Sequence, residues 1–268
     1  MGRIPFTKAH GAKNDFLLTW AGDAPRFSLP EAARAICDRH SGVGADGWLL
    51  VSPGKDGGFD GAIRLFNSDG SEAEISGNGT RCAAAFLIDV GVTSGPQVLI
   101  ATGAGLKTLR LIERKGLQFL FEMNMGSPGW RPEQVRHRLA LAGTVVEATI
   151  LDVGNPQCAV EVADFDFDWR AQGAAIERHA EFPNRTNVSF FRRLDEHSIE
   201  VRFFERGAGE TMSSGTGSTG AAAAAILKGA AASPVRVHTP AGPLDIRWDG
   251  EAWLTGPAEI VAGGEFYL

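Results

Sequence analysis

Two short stretches of this 268-residue chain hold the residue types from which chemistry is built: "ISGNGTRCAAAF" (75–86) and "SSGTGSTGAAAA" (213–224). In each, a serine (Ser76, Ser214) is followed by glycine-spaced small residues and then by alanines. A glycine-rich loop that opens a helix brings backbone N–H groups close to a ligand. The helix start attracts anions, because its first-turn N–H groups lack partners and the helix dipole is positive there. One such unit is weak evidence. Two units facing each other across a cleft would lay a carboxylate on their converging N–H groups and bring Ser76 and Ser214 to opposite faces of one carbon. Stereoinversion needs that arrangement, with one group removing a proton and the other delivering one from the far side.

The elements that must position these serines repeat along the chain. "IRLFNSDGSEAEISGNG" (63–79) sets Arg64, Phe66, Glu72 and Ser76-Gly77 against Arg202, Phe204, Glu210 and Ser214-Gly215 of "VRFFERGAGETMSSGTG" (201–217), at one constant offset. Both copies run on into alanine, and Thr102 then meets Thr239 at an offset one residue shorter. A period near half the chain length predicts two similar domains rather than a solenoid. They are expected over 1–118 and 119–256, with 257–268 returning to the first. Alternating stretches such as "AIRLF", "KTLRLIE", "IEVRFF" and "LDIRW" predict strands. "SLPEAARAICDRH" predicts a helix with Ser28 as N-cap and Pro30 in its first turn. The alanine-rich segments are apolar on nearly every side and are expected to be buried helices around which a sheet closes. "DFDFDW" (164–169) reads as an exposed strand or a helix lead-in, without chemistry.

Composition narrows the function. Hydrophobic residues make up 44% and charged residues 22%, which is globular, and the net charge of −6 argues against a nucleic-acid partner. No basic-then-apolar leader or apolar run of membrane length is read in the sequence, and the scattered, odd-numbered cysteines make a reducing cytoplasm, off the membrane, the expected compartment. Cys37, Cys82 and Cys158 form no CxxC pair and read as packed thiols, and the histidines lack metal-ligand spacing. The glycine loops match neither the Walker nor the Rossmann pattern. No metal or cofactor is expected; the partner is a small-molecule substrate.

The motifs, taken in order, resemble those of the diaminopimelate epimerase family. They are "KAHGAKNDF", "DRHSGVGADG", "FNSDGSEAEISGNGTRC", "GNPQC", "IERHAEFPNRTNV" and "ERGAGETMSSGTG", running nearly end to end. The resemblance implies an α+β fold of two pseudosymmetric domains, each a curled mixed or antiparallel sheet around a central buried helix. It also implies cofactor-independent interconversion of LL- and meso-diaminopimelate for lysine and cell-wall synthesis, by a homodimer. Carried over residue by residue, Ser76 and Ser214 take the catalytic positions. Asn14, Asn67, Asn155 and Asn187 hold the substrate's polar ends. Gly77-Asn78 and Gly215-Thr216 offer backbone N–H groups, with Glu205, also placed at the catalytic centre, and Arg206 beside them. Read without the resemblance, each Asn could instead cap its own turn, and Glu205 and Arg206 could form a surface ion pair.

The chain departs from the family pattern where it matters most. The family carries cysteine at both catalytic positions, and here both are serine. A thiol ionises near pH 8.5 and lower still at a helix start, whereas a serine hydroxyl needs a basic neighbour to act as a base. Gln157 stands where the family has histidine, Gly47 where several members have glutamine, and Lys13 where the family has glycine. Three readings stay open: a slow epimerase with its cysteines exchanged for serine, a divergent racemase of another amino acid, and a non-catalytic diamino-acid-binding protein. A phenazine-type isomerase using Glu72 and Glu210 as bases is a further, weaker alternative, since a Glu there serves more simply as a hydrogen-bonding partner for the loop that follows.

Overall fold

The computed structural model describes residues 2–54 and 58–268. The chain divides into two compact units, Met1–Met123 with Gly256–Leu268, and Asn124–Thr255. The first contains β1 (Arg3–Gly11), β2 (Asn14–Trp20), α1 (Leu29–Cys37), β3 (Gly47–Pro53), β4 (Gly61–Asn67), β5 (Glu72–Ala73), α2 (Gly77–Asp89), β6 (Gln97–Thr102), β7 (Gly105–Lys115) and most of β8 (Gln118–Gly126). The second contains β9 (His137–Leu141), β10 (Thr144–Asp152), β11 (Pro156–Glu161), α3 (Trp169–Glu177), β12 (Asn187–Asp195), β13 (Ser198–Glu205), β14 (Gly209–Thr211), α4 (Gly215–Leu227), β15 (Val235–Thr239), β16 (Gly242–Asp249) and the start of β17 (Glu251–Tyr267).

The pairing repeats as well. Parallel β2–β3 and antiparallel β3–β4 in the first unit match parallel β11–β12 and antiparallel β12–β13 in the second. Parallel β4–β6 matches parallel β13–β15. The turns after β6 and β15 are built alike: Thr102 donates to the Gly105 carbonyl (2.8 Å) and Thr239 to the Gly242 carbonyl (2.6 Å). The architecture is therefore a duplicated α+β fold. In the first unit the strand ladder closes on itself, since β17 pairs with both β8 and β1.

The chain passes between units at 123/124 and 255/256, inside the continuous strands β8 and β17. A crossing within a strand leaves no turn signal.

Each unit wraps its strands around one helix. α2 packs on β1, β2, β3, β4 and β6, and α4 packs on β10 to β13, β15 and β16. Ala83–Ala85 and Ala221–Ala225 are all at most 1% exposed. Methyl side chains on every face let strands approach from all sides, which a bulkier helix would prevent. α1 begins after Ser28, but the Ser28 side chain makes no capping bond, so Pro30 and burial of Ala32, Ala33 and Ile36 carry that helix start. Residues 164–168 lead into α3, where the Asp168 side chain accepts from the Ala171 N–H (3.0 Å).

Candidate active site

Both serines are the N-caps of the central helices. Ser76 has φ −130° and ψ 122°, and its Oγ accepts from the Gly79 N–H at 3.1 Å. Ser214 has φ −137° and ψ 124°, and its Oγ accepts from the Gly217 N–H at 3.1 Å. Serine is among the best N-caps because its short side chain reaches that N–H while the backbone stays extended. The cap bond leaves the hydroxyl proton free. It also aims an N–H at any negative charge that develops on Oγ, which favours the ionised form. The N–H groups of Gly77, Asn78, Gly215 and Thr216 precede the first intrahelical acceptors and remain available donors.

Around Ser76 the polar groups form a chain. Asn78 donates to Asn14 Oδ1 (3.2 Å), and Asn14 donates to Asp46 (2.7 Å). Asp46 accepts from Arg39 (2.8 Å), which also pairs with Asp15 (2.7 Å), itself 3.0 Å from Lys8. Burial opposes ionisation of Asp15, but the Arg39 and Lys8 hydrogen bonds outweigh it and its pKa falls. Asn67 belongs to a different circle: it donates to Ser71 Oγ (3.0 Å) in the turn that its own backbone closes. Opposite it in the β3–β4 ladder is Gly47, where a Cβ would come within 3.0 Å of the Phe66 carbonyl oxygen. Lys13 has φ 60° and Ala12 φ 50° in the β1–β2 turn, a pair of left-handed residues without a glycine.

Around Ser214 the partners differ. Glu205 accepts from Thr211 Oγ1 at 2.6 Å, and the Ser214 hydroxyl lies within interaction range of the same carboxylate. Desolvation pushes the Glu205 carboxyl above the ordinary glutamate range, against the two hydroxyls, which lower it. In the repeat, Asn67 occupies the place of Glu205 (Phe66 on Phe204, Ser76 on Ser214). Asn155 donates to Thr216 Oγ1 (3.3 Å) and accepts from the buried Gln157 amide (2.6 Å). Asn187 accepts from the Arg206 N–H (3.1 Å) and donates to the Pro156 carbonyl (3.0 Å). The loop carrying Arg206 is pinned from below by Glu177, which is 1% exposed, accepts from the Gly207 N–H (3.1 Å) and pairs with Arg185.

Several residues fall elsewhere than the sequence suggests. Arg206 is exposed and bonds the Asn184 carbonyl (3.2 Å), so it is not an ion-pair partner of Glu205. Glu72 and Glu210 do not hold the loops that follow them. They form exposed pairs with Arg64 (2.9 Å) and Arg170 (2.6 Å), and the Arg64 guanidinium holds the Glu72 carboxyl below the usual glutamate range. Cys37, Cys82 and Cys158 are buried, and burial pushes each thiol up to about 12, so none replaces the missing catalytic thiols. Among the described residues, no cluster of three or more His, Cys, Asp or Glu side chains is arranged to hold a metal ion.

Sequence reasoning passed over Asp46 and Arg81. Asp46 shows no local pattern. Arg81 did leave a signal: it is one cation inside an otherwise small and uncharged helix start, and it is 0% exposed.

The sequence profile of the family described as diaminopimelate epimerase matches residues 6–130 and 149–261. Diaminopimelate epimerase of Pelotomaculum thermopropionicum is 38% identical over 276 aligned residues, covering 97% of this chain and 98% of that protein. Diaminopimelate epimerase of Aromatoleum aromaticum is 41% identical, covering 98% of each. Among solved structures, a hydroxyproline epimerase from Agrobacterium vitis with bound trans-4-hydroxy-L-proline superposes with a TM-score of 0.73 at 15% identity. That match covers 99% of this chain and 91% of the other, and shows a shared fold.

Proposed function

The chain belongs to the diaminopimelate epimerase family, and we propose that it inverts the α-carbon of diaminopimelate by proton exchange between Ser76 and Ser214. The observation that carries this is the matched pair of serine caps at the heads of two buried helices, each with free first-turn N–H groups beside it. In this reading both serines act on one substrate carbon. The α-proton passes to Ser214 Oγ as that hydroxyl's own proton moves to the Glu205 carboxylate. The resulting carbanion spreads into the substrate carboxylate, which the N–H groups of Gly77, Asn78, Gly215 and Thr216 hold as an oxyanion hole would. Ser76 delivers its proton from the other face, and its alkoxide, held by the Gly79 N–H, is reprotonated by solvent as Glu205 gives its proton up to solvent. Asn14, Asn155, Asn187 and Arg206 orient the distal end, while Asn67 is held by its own turn.

From the family the reading also takes a cytoplasmic, cofactor-free homodimer that supplies lysine and cell-wall precursors. Serine's weak acidity makes this a slow enzyme. The buried thiols and the hydroxyls committed to capping favour a second reading, in which diaminopimelate binds without turnover.

α-Hydrogen exchange in D₂O, followed by NMR with LL- and meso-diaminopimelate, tests both. Replacing both serines, Ser76→Cys with Ser214→Cys, is expected to raise exchange by about 10²–10⁴-fold, while losing about 1 kcal/mol of stability per cap. A double variant that binds diaminopimelate but neither exchanges nor epimerises it would remove these positions from the chemistry.

A further inference from the structure

Arg81 lies in the first turn of α2 and is 0% exposed. Its guanidinium donates to the Pro257 carbonyl (3.0 Å), to the Gly77 carbonyl (3.3 Å) and to Asn78 Oδ1 (2.5 Å). None of these partners is a carboxylate. A buried cation whose hydrogen-bond partners are all neutral is costly to the fold. The second unit provides an internal control. Its equivalent residue, Thr219, is also 0% exposed and bonds the Gly215 carbonyl with a neutral hydroxyl (2.9 Å). A helix start of this kind therefore folds without the charge.

The hydrogen bonds show what the charge does. The guanidinium occupies Asn78 Oδ1, so Asn78 turns its NH₂ to Asn14 Oδ1. Asn14 in turn directs an N–H to Asp46. With Arg81 in place, each asparagine oxygen accepts a hydrogen bond, and this fixes which way each amide faces.

We infer that Arg81 is a positioning residue for the Ser76 helix start: it fixes the amide orientation of Asn78 and Asn14 and supplies a counter-charge for a bound substrate carboxylate. The inference rests on the proposed function. Burial lowers the Arg81 pKa to about 10, so the group stays charged at neutral pH. Gly11, whose Cβ would sit 3.2 Å from the guanidinium, lets the β1–β2 turn close over it.

The test is titration calorimetry with meso-diaminopimelate on wild type, Arg81→Thr, Arg81→Lys, Asn78→Ala and the combined Asn78→Ala/Arg81→Lys variant, each checked by thermal unfolding. Arg81→Thr, which transplants the second unit's solution, is expected to fold and to weaken Kd by about 10-fold or more. Arg81→Lys keeps the charge but loses the fork geometry, and is expected to fall between. In the Asn78→Ala background Arg81→Lys should weaken binding far less than it does alone, because its route to the ligand is already gone. A folded Arg81→Thr that keeps wild-type Kd overturns the inference. So does an Arg81→Lys effect that is the same with and without Asn78, and this arm decides the matter if Arg81→Thr does not fold. Wild type that neither binds diaminopimelate nor exchanges its α-hydrogen overturns the proposed function instead, and this inference with it.

Discussion

The starts of α2 and α4 share one backbone design and carry opposite electrostatics. At Ser214 a desolvated glutamate faces the hydroxyl; at Ser76 the matching position is Asn67, and the buried charged group is the cation Arg81. In the proposed function, the duplicated scaffold supplies one helix start with a carboxylate to take up a proton and one with a cation to hold an anion. Geometry was copied and chemistry diverged, because a helix cap fixes where a hydroxyl sits but not how readily it ionises.

The sharpest way to break that contrast is to remove the carboxylate. Glu205→Gln is expected to reduce α-hydrogen exchange by about 10²–10⁴-fold, with little change in Kd for diaminopimelate. Since the Glu205 pKa is raised, exchange in the wild type should fall with acid at a pH above the ordinary glutamate range, as the carboxylate takes up its proton. Stability moves the opposite way. A carboxyl with a raised folded-state pKa binds more protons folded than unfolded, so its contribution declines as pH rises through the window between the two values. Glu205→Gln should therefore be at least as stable as wild type at neutral pH, and a pH series of thermal unfolding would show the two curves converging in acid. A variant that loses stability but keeps exchange would reverse the assignment.

Packing offers a smaller comparison at the same two sites. A Cβ on Gly217 would meet the buried Phe203 ring at 2.9 Å and the Ser214 Cβ at 3.0 Å, whereas one on Gly79 has its nearest atom at 3.3 Å. Gly217→Ala should cost about 1–3 kcal/mol and Gly79→Ala less, read as shifts in denaturation midpoint. Equal costs would mean that the two helix starts are equally confined.

The smallest effect concerns the hairpin turns beside the sites. The β10–β11 turn places Gly154 at φ 77°, while the β1–β2 turn holds Lys13 at φ 60° without a glycine. Lys13→Gly should stabilise by about 1 kcal/mol, by relieving a left-handed conformation that a Cβ disfavours. A loss of stability in chemical denaturation would show that the lysine side chain, not the backbone, governs the turn.

Much of this was legible in the sequence because it is written locally. The offset joining 63–79 to 201–217 disclosed the duplication, and serine before glycine-spaced residues disclosed two helix caps, since capping depends on residues three apart. The alanine runs disclosed helices buried on all sides. Family motifs then assigned the asparagines, yet not their company. Asn67 turned out to hold its own turn, Asn14 to be locked through Asn78 to Arg81, and Asn155 to be held by Gln157.

What the chain determined by itself, then, was the repeat, the helix starts and the hydroxyls that head them, all products of short-range backbone and capping geometry. Only the tertiary structure decided which serine meets a carboxylate and which helix start carries a buried cation. Those pairings join residues such as Asn14 with Asn78 and Arg81 with Pro257. Burial also raises the Glu205 pKa and keeps an unpaired charge costly, and a one-dimensional sequence carries no measure of burial.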